Sequence, residues 1–271
     1  MKFAICNEMF QDWILEDVFR LVAEIGYDGV EIAPFTLADT VTEINSKRRT
    51  EIRKLAAACG LDITGIHWLF ISPPGLYLNH TDHEKRRRTQ AYLCDLIRFC
   101  GDIGGKVMVV GSPKQRDVLP DQTYEATWDR TKEVFEACLP LAKEYDVTIC
   151  MEPLDHLQTN FVNTPQEAAR MVREIDHPKF RMIVDVRATY AQGEDIVKAI
   201  HEVKDEMVYF HLNDANGDGP GFGDVDFVPI LKALNDTSYT GFGSVEVFDF
   251  TLGGEAIARK SYETITKAIG N

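Results

Sequence analysis

Four residues invite a chemical reading first: Glu152, Asp185, His211 and Glu246. Each stands at or near the end of a short apolar run: "VTICME" (147–152), "FRMIVD" (180–185), "MVYFHL" (207–212) and "GFGSVEV" (241–247). Three carboxylates and one imidazole form a donor set suited to one divalent ion, Mn²⁺ first, with Mg²⁺ or Co²⁺ as alternatives. A zinc site would draw on more His or Cys. Taken singly, each residue has an ordinary reading, because a strand-end acid can cap the next helix and a lone His can pack in a core. Taken together they need a positive partner, since a buried carboxylate costs roughly several kcal/mol unless it is paired or binds a cation. An ion held this way could chelate adjacent carbonyl and hydroxyl oxygens of a substrate. It would acidify the C–H beside the carbonyl and stabilise the enediolate that forms. Proton transfer would then need bases above and below that carbon. If one ring nitrogen of His211 binds the ion, the other should donate to an acceptor behind it.

Other residues are candidates around that set. His156, four residues past Glu152, is an additional acid/base. Glu8 and His67, the latter beside Trp68, are substrate contacts. Lys114 and Arg116 in "GSPKQR" (111–116) would grip a phosphate or carboxylate. Arg187 lies two residues beyond Asp185, so strand alternation would turn it to the same side, as a better anion anchor. Asn213, two residues past His211, joins the substrate-facing set. Asp224 and Asp226 would order the glycine-rich turn that follows.

The elements that must position these groups repeat along the chain. Eight strand candidates are legible: 2–6, 29–33, 63–69, 106–111, 147–152, 180–185, 207–212 and 241–247. Between them lie helical patterns. "LEDVFRLVAEIG" (15–26) has apolar residues at Val18, Leu21, Val22 and Ile25. "RRTEIRKLAAACG" (48–60) ends on a glycine, "TPQEAARMVREI" (164–175) opens with a capping box of Thr164 and Glu167, and "EAIARKSYETITKAI" (255–269) is the last helix. Strands alternating with helices imply a parallel sheet. Eight such units predict a single-domain α/β (β/α)8 barrel over 1–271, a TIM barrel. An open doubly wound sheet is the rival. It usually carries a glycine fingerprint after its first strand, where this chain reads "CNEMFQDW". In a barrel the chemistry lies at the carboxyl ends of the strands, where the four residues fall.

Composition narrows the class. The chain has 271 residues, is 45% hydrophobic and carries a net charge of −14. That charge argues against nucleic acid as a partner. The basic run "EKRRRTQ" (84–90) reads as a solvated helix face. Neither a signal peptide nor an apolar stretch long enough for a bilayer is evident. The six cysteines are scattered without a CxxC, so a reduced cytoplasmic protein is expected.

"MEPLDHLQTNFVNTPQEAARMV", "MIVDVRATY", "FHLNDANGDGPGFGDVDFVPIL" and "GSVEVFDF" resemble the xylose-isomerase-like barrel superfamily. It includes ketose 3-epimerases, hydroxypyruvate isomerase, inosose dehydratase and repair endonucleases. The likeness runs from "ICNEMF" to the last helix. It implies one metal held by Glu152, Asp185, His211 and Glu246, with Glu152 and Glu246 on opposite sides of the substrate, one removing the proton and the other returning it. It also implies that "GPGFGDVDF" is a shared loop whose glycines let backbone approach the substrate. The departures concern the substrate shell. Ala188 stands where the epimerases have His, Gln158 where they have Glu, and "LNDANGD" lacks their Arg. Gly111, Ala188 and Asp226 stand near positions where the repair endonucleases would have metal-binding histidines, so that branch is set aside.

The resemblance implies a divalent-metal-dependent isomerase or epimerase of a keto sugar or sugar derivative. A second expectation is a lyase on 3-oxo-glycosides, with His156 as the added acid/base and a small β-rich partner subunit, or an inosose dehydratase. A third is an inactive barrel that serves as a binding subunit. Assembly as a homo-oligomer fits all three.

Overall fold

The computed structural model describes residues 1–270. Eight parallel strands, each beside its sequence neighbour, close into a barrel through the pairing of the last with the first. They are β1 (Lys2–Cys6), β2 (Gly29–Ile32), β3 (Asp62–Ile66), β4 (Val107–Val110), β5 (Thr148–Met151), β6 (Phe180–Asp185), β7 (Met207–Leu212) and β8 (Phe242–Val245). Around them run α1 (Leu15–Ile25), α2 (Ser46–Ala58), α3 (His83–Ile103), α4 (Tyr124–Glu144), α5 (Pro165–Ile175), α6 (Val186–Ala191), α7 (Ile196–Glu202), α8 (Phe227–Asp236) and α9 (Gly254–Ile269). Closure excludes the open sheet.

The strands are short and apolar on both faces because each is covered twice, by the barrel interior and by the helices. β4, "VMVV", is buried throughout. Helix ends follow their local chemistry. α1 stops at Gly26, whose φ of 113° only glycine takes readily. α5 opens with the expected capping box of Thr164 and Glu167. In the basic run, Arg87 pairs with Glu84 at 2.6 Å on the exposed side of α3.

The unit after β6 departs from the simple pattern, because it carries two helices and α6 begins directly from the strand. Five strands also stop earlier than their expected runs. β2 ends at Ile32, β3 at Ile66, β4 at Val110, β5 at Met151 and β8 at Val245. His67, Glu152 and Glu246 are therefore the first residues beyond their strands. Asp185 and His211 lie inside β6 and β7 and face each other in register. Below them a small apolar cluster of Val107, Val109, Cys150, Ile183 and Tyr209 fills the barrel. By two-residue alternation Ile183 and Asp185 share a face, as do Tyr209 and His211. The polar groups thus stand on an apolar floor.

No described helix is long and apolar enough to cross a membrane. All six cysteines are free thiols.

Candidate metal centre

Glu152, Asp185, His211 and Glu246 converge. One donor atom from each lies within 4.8 Å of all the others, and all four residues are buried. His211 presents Nδ1 to the acids, 3.1 Å from Glu152 Oε1, 3.1 Å from Glu246 Oε2 and 3.9 Å from Asp185 Oδ2. Its Nε2 faces the two oxygens of Glu31 at 3.4 and 3.3 Å. Glu31 also accepts from the Tyr209 hydroxyl at 3.0 Å. Glu31 is thus the acceptor behind the imidazole. The sequence signals it only as a strand-end acid in "GVEIA", and its role follows from complete burial.

Each acid is held by a different device. Asp185 caps α6, its Oδ1 accepting from the Ala188 amide at 2.6 Å, while Oδ2 accepts from Asn213 Nδ2 at 2.6 Å. The helix-capping reading therefore holds for Asp185 alongside the chemical one. The carbonyl of Glu152 accepts from the Arg116 guanidinium at 2.7 Å. Its carboxylate occupies space that any side chain at position 111 would need, since a Cβ on Gly111 would fall 1.8 Å from Glu152 Oε2. Glu246 Oε1 lies 3.2 Å from His67 Nδ1, and His67 Nε2 lies 2.9 Å from Glu8 Oε2.

The charges in this cluster shift one another. Burial raises Asp185, and Glu152 and Glu246 raise it further, to about 7. Burial likewise raises Glu152, against the opposing pull of His211. Burial would also raise Glu246, but His211 and His67 outweigh it and hold it low. Burial would lower His211, yet Glu246 and Glu31 carry it well above its usual value. Glu31 is brought down to about 2 because His211 and His67 overcome its burial. Burial and mutual repulsion oppose ionisation of Glu152 and Asp185 beside the charged Glu246, so the set calls for further positive charge. A divalent cation would supply it, and oxygen-rich donors with one imidazole suit such an ion.

Beside the four residues lies a pocket of about 90 Å³, bounded by His67, Trp68, Gln158, Arg187 and Phe248 together with Glu152, Asp185 and Glu246. Several expectations need correction here. Arg116 is no anion grip: it is fully buried and donates to the carbonyls of Val110, Glu152 and Val162. Lys114 is exposed and does not border the pocket. His156 is also exposed and outside the pocket, its Nδ1 2.9 Å from Gln192 Oε1. Asn213 is fully buried, bridges Asp185 to the Arg187 amide and does not border the pocket. Glu8 stands behind His67 rather than in the pocket.

Arg187 does reach the pocket, but from the first turn of α6 rather than by strand alternation. Its Nη1 donates to Asp155 at 3.1 Å and to Gln158 at 3.2 Å, and the guanidinium lies 5.2 Å from the centre of the Phe248 ring. Asp155, fully buried, already balances that charge.

The glycine turn is also built differently from expectation. Asp214 orders it, accepting from the amides of Gly223 at 2.9 Å and Val225 at 3.2 Å. Asp226 caps α8 instead, and Asp224 makes no such bond. Gly219 and Gly221 lie against Ser261 and Thr264 of α9, so these glycines permit close packing on a helix. The turn does not border the pocket.

Residues 19–268 match the family model described as xylose isomerase-like TIM barrel. The chain belongs to this family. One relative is the 3-dehydro-D-guloside 4-epimerase of Escherichia coli, 23% identical over 248 residues, which cover 89% of this chain and 90% of the relative. Among solved structures, the D-psicose 3-epimerase of Clostridium cellulolyticum with D-tagatose superposes with a TM-score of 0.86 at 20% identity, covering 100% of this chain and 99% of the other. The IOLI protein with a bound zinc atom has a TM-score of 0.77 at 19% identity, with coverage of 99% and 96%. At such identities these structures establish the shared barrel.

Proposed function

We propose that this family member is a divalent-metal-dependent epimerase or isomerase of a keto sugar or sugar derivative. The observation that carries the reading is the convergence of Glu152, Asp185, His211 and Glu246 within 4.8 Å beside a small pocket. Relatives named as sugar epimerases support the substrate class. A relative with a bound zinc atom supports a metal in this kind of barrel. Mn²⁺ remains the first choice here, because three of the four donors are carboxylates.

The four residues would hold the ion, which supplies Lewis acidity toward a carbonyl and its neighbouring hydroxyl. The other steps belong to the chain. Glu246, steadied by His67, takes the proton from the carbon beside the carbonyl. Glu152 returns one to the opposite face, and the centre inverts. Gln158 and Arg187 meet the sugar hydroxyls at the mouth. Asp185 and Asn213 hold the strand ends in place without exchanging protons. The lyase reading loses its support in His156, which is exposed and faces Gln192.

The test is proton exchange. With Mn²⁺ added, incubation with ketoses and 3-oxo-glycosides in D₂O should place deuterium on the carbon beside the carbonyl. Glu152→Gln and Glu246→Gln should each lower that exchange by about 10³-fold or more while the fold persists. Full exchange in Glu246→Gln would overturn the assignment of the base.

A further inference from the structure

Two of the six cysteines meet away from the metal centre, between the two longest helices. Cys94 lies in the middle of α3 and Cys138 in the last third of α4, and their sulfurs are 3.7 Å apart. Gln90 stands one turn before Cys94, and its carbonyl lies 3.8 Å from Cys138 Sγ, so Cys138 points onto this face of α3. Cys138 is fully buried, while Cys94 is partly exposed. Three of the other thiols face oxygen instead: Cys6 meets Glu31, and Cys100 and Cys150 meet the carbonyls of Val107 and Thr148. Cys59 is the one other partly exposed thiol.

A single cysteine between helices is ordinary packing. A solvent-reachable thiol touching a buried one is a reactive arrangement, because the first can be oxidised and the second can resolve the product. The electrostatics assign the two roles. The Cys138 S–H donates to the Cys94 sulfur and brings Cys94 down to about 7, against its burial, with Arg98 assisting. The same contact, together with burial, pushes Cys138 up. Cys94 is therefore the thiolate and nucleophile of the pair.

We propose that Cys94 and Cys138 are an oxidisable pair that hydrogen peroxide converts to a disulfide stapling α3 to α4. The Cys94 thiolate attacks a peroxide oxygen. An S–O bond forms, the O–O bond breaks, and the departing hydroxide takes up the proton that Cys94 released. Cys138 then attacks the sulfenic sulfur. The S–S bond forms, the S–O bond breaks, and the leaving hydroxide takes the Cys138 proton. The two thiols lose two electrons, and the peroxide ends as two waters. The sulfurs must close by less than about 2 Å, since an S–S bond is about 2.0 Å long. The ring so formed holds β4 and the turn carrying Gly111, Ser112 and Pro113, which border the pocket. Closing it restricts the unfolded chain, so the oxidised protein resists unfolding.

The experiment treats the reduced full-length protein with hydrogen peroxide, alkylates it, digests it without reductant and reads the peptides by mass spectrometry. The Cys94–Cys138 pair should be the main linked product, and dithiothreitol should remove it. The linked form should melt about 5 °C above the reduced one. In Cys138→Ala the resolving thiol is gone, and dimedone should then label Cys94 about tenfold more than Cys59. Cys138→Ser repeats that measurement with a side chain of similar shape, should alanine loosen the seam. Absence of the linked pair, equal labelling of Cys94 and Cys59 in both variants, or a linked form that melts no higher than the reduced one would overturn the proposal.

Discussion

At the scale of single residues, the decisive fact is that the acids share too little positive charge. Asp185 sits near 7 in the metal-free protein, against an ordinary 3.8. The folded chain therefore keeps a proton that the unfolded chain has lost between those values, and stability from this group falls as pH rises across that window. His211 acts in the same direction, since its raised value gives stability that is present at low pH and lost as pH climbs through it. Glu31 acts in the opposite direction, but only as pH falls below the ordinary carboxylate range toward 2. Thermal melts of metal-free protein from pH 5 to 7 should thus show declining stability, and Asp185→Asn should flatten the slope. Metal affinity should rise over the same interval, because the ion displaces that proton. A second residue-scale prediction concerns Gly111. Its Cβ would meet Glu152 Oε2 at 1.8 Å, so Gly111→Ala must move the carboxylate. Metal affinity, read by titration calorimetry, should drop by about 10–100-fold with the overall stability nearly intact.

At the scale of elements, the strand ends decide what faces the centre. β6 and β7 carry Asp185 and His211 in register, while Glu152 and Glu246 are the first residues past β5 and β8. The loops after the strands do the remaining positioning. Arg116, placed by the turn after β4, ties the carbonyls of Val110, Glu152 and Val162 together from a fully buried site. Arg116→Met should lower stability by about 3 kcal/mol, measured by urea unfolding, because those carbonyls lose their donor. Arg116→Lys should recover only part of it, since an ammonium lacks the planar fork. These loop roles were the least legible part of the sequence. Arg116 and Lys114 look alike in "GSPKQR", yet one turns inward and the other outward, and nothing local distinguishes them. Asn213 was legible as a polar strand-end residue but not as the partner of Asp185, because that bond joins residues on two strands. The turn is likewise ordered by Asp214 rather than by Asp224 and Asp226, of which Asp226 caps α8, and it closes on α9 rather than on the pocket.

At the scale of the molecule, the barrel was legible because its pattern is repeated. Eight apolar runs at near-equal spacing, separated by amphipathic ones, admit few architectures, and the family match agrees. The set of four was legible for the same reason, one polar residue recurring at the same place in four successive units. Glu31 was harder to read, because it lies across the barrel and meets His211 only once the sheet has closed. Closure also creates two neighbouring clusters that could compete for an ion: Glu8, His67 and Glu246, and Cys6, Glu31, His67 and His211. In the first, His67 already lies between Glu8 and Glu246, and an imidazolium there pairs with both without a metal; in the second, the one acid, Glu31, is already engaged by His211 and Tyr209. The most direct test is therefore anomalous diffraction from crystals of the Mn²⁺-loaded protein. The account predicts one peak per chain, about 2.0–2.4 Å from oxygens of Glu152, Asp185 and Glu246 and from His211 Nδ1. A peak at the Glu8–His67 cluster instead, or none at saturating metal, would contradict it.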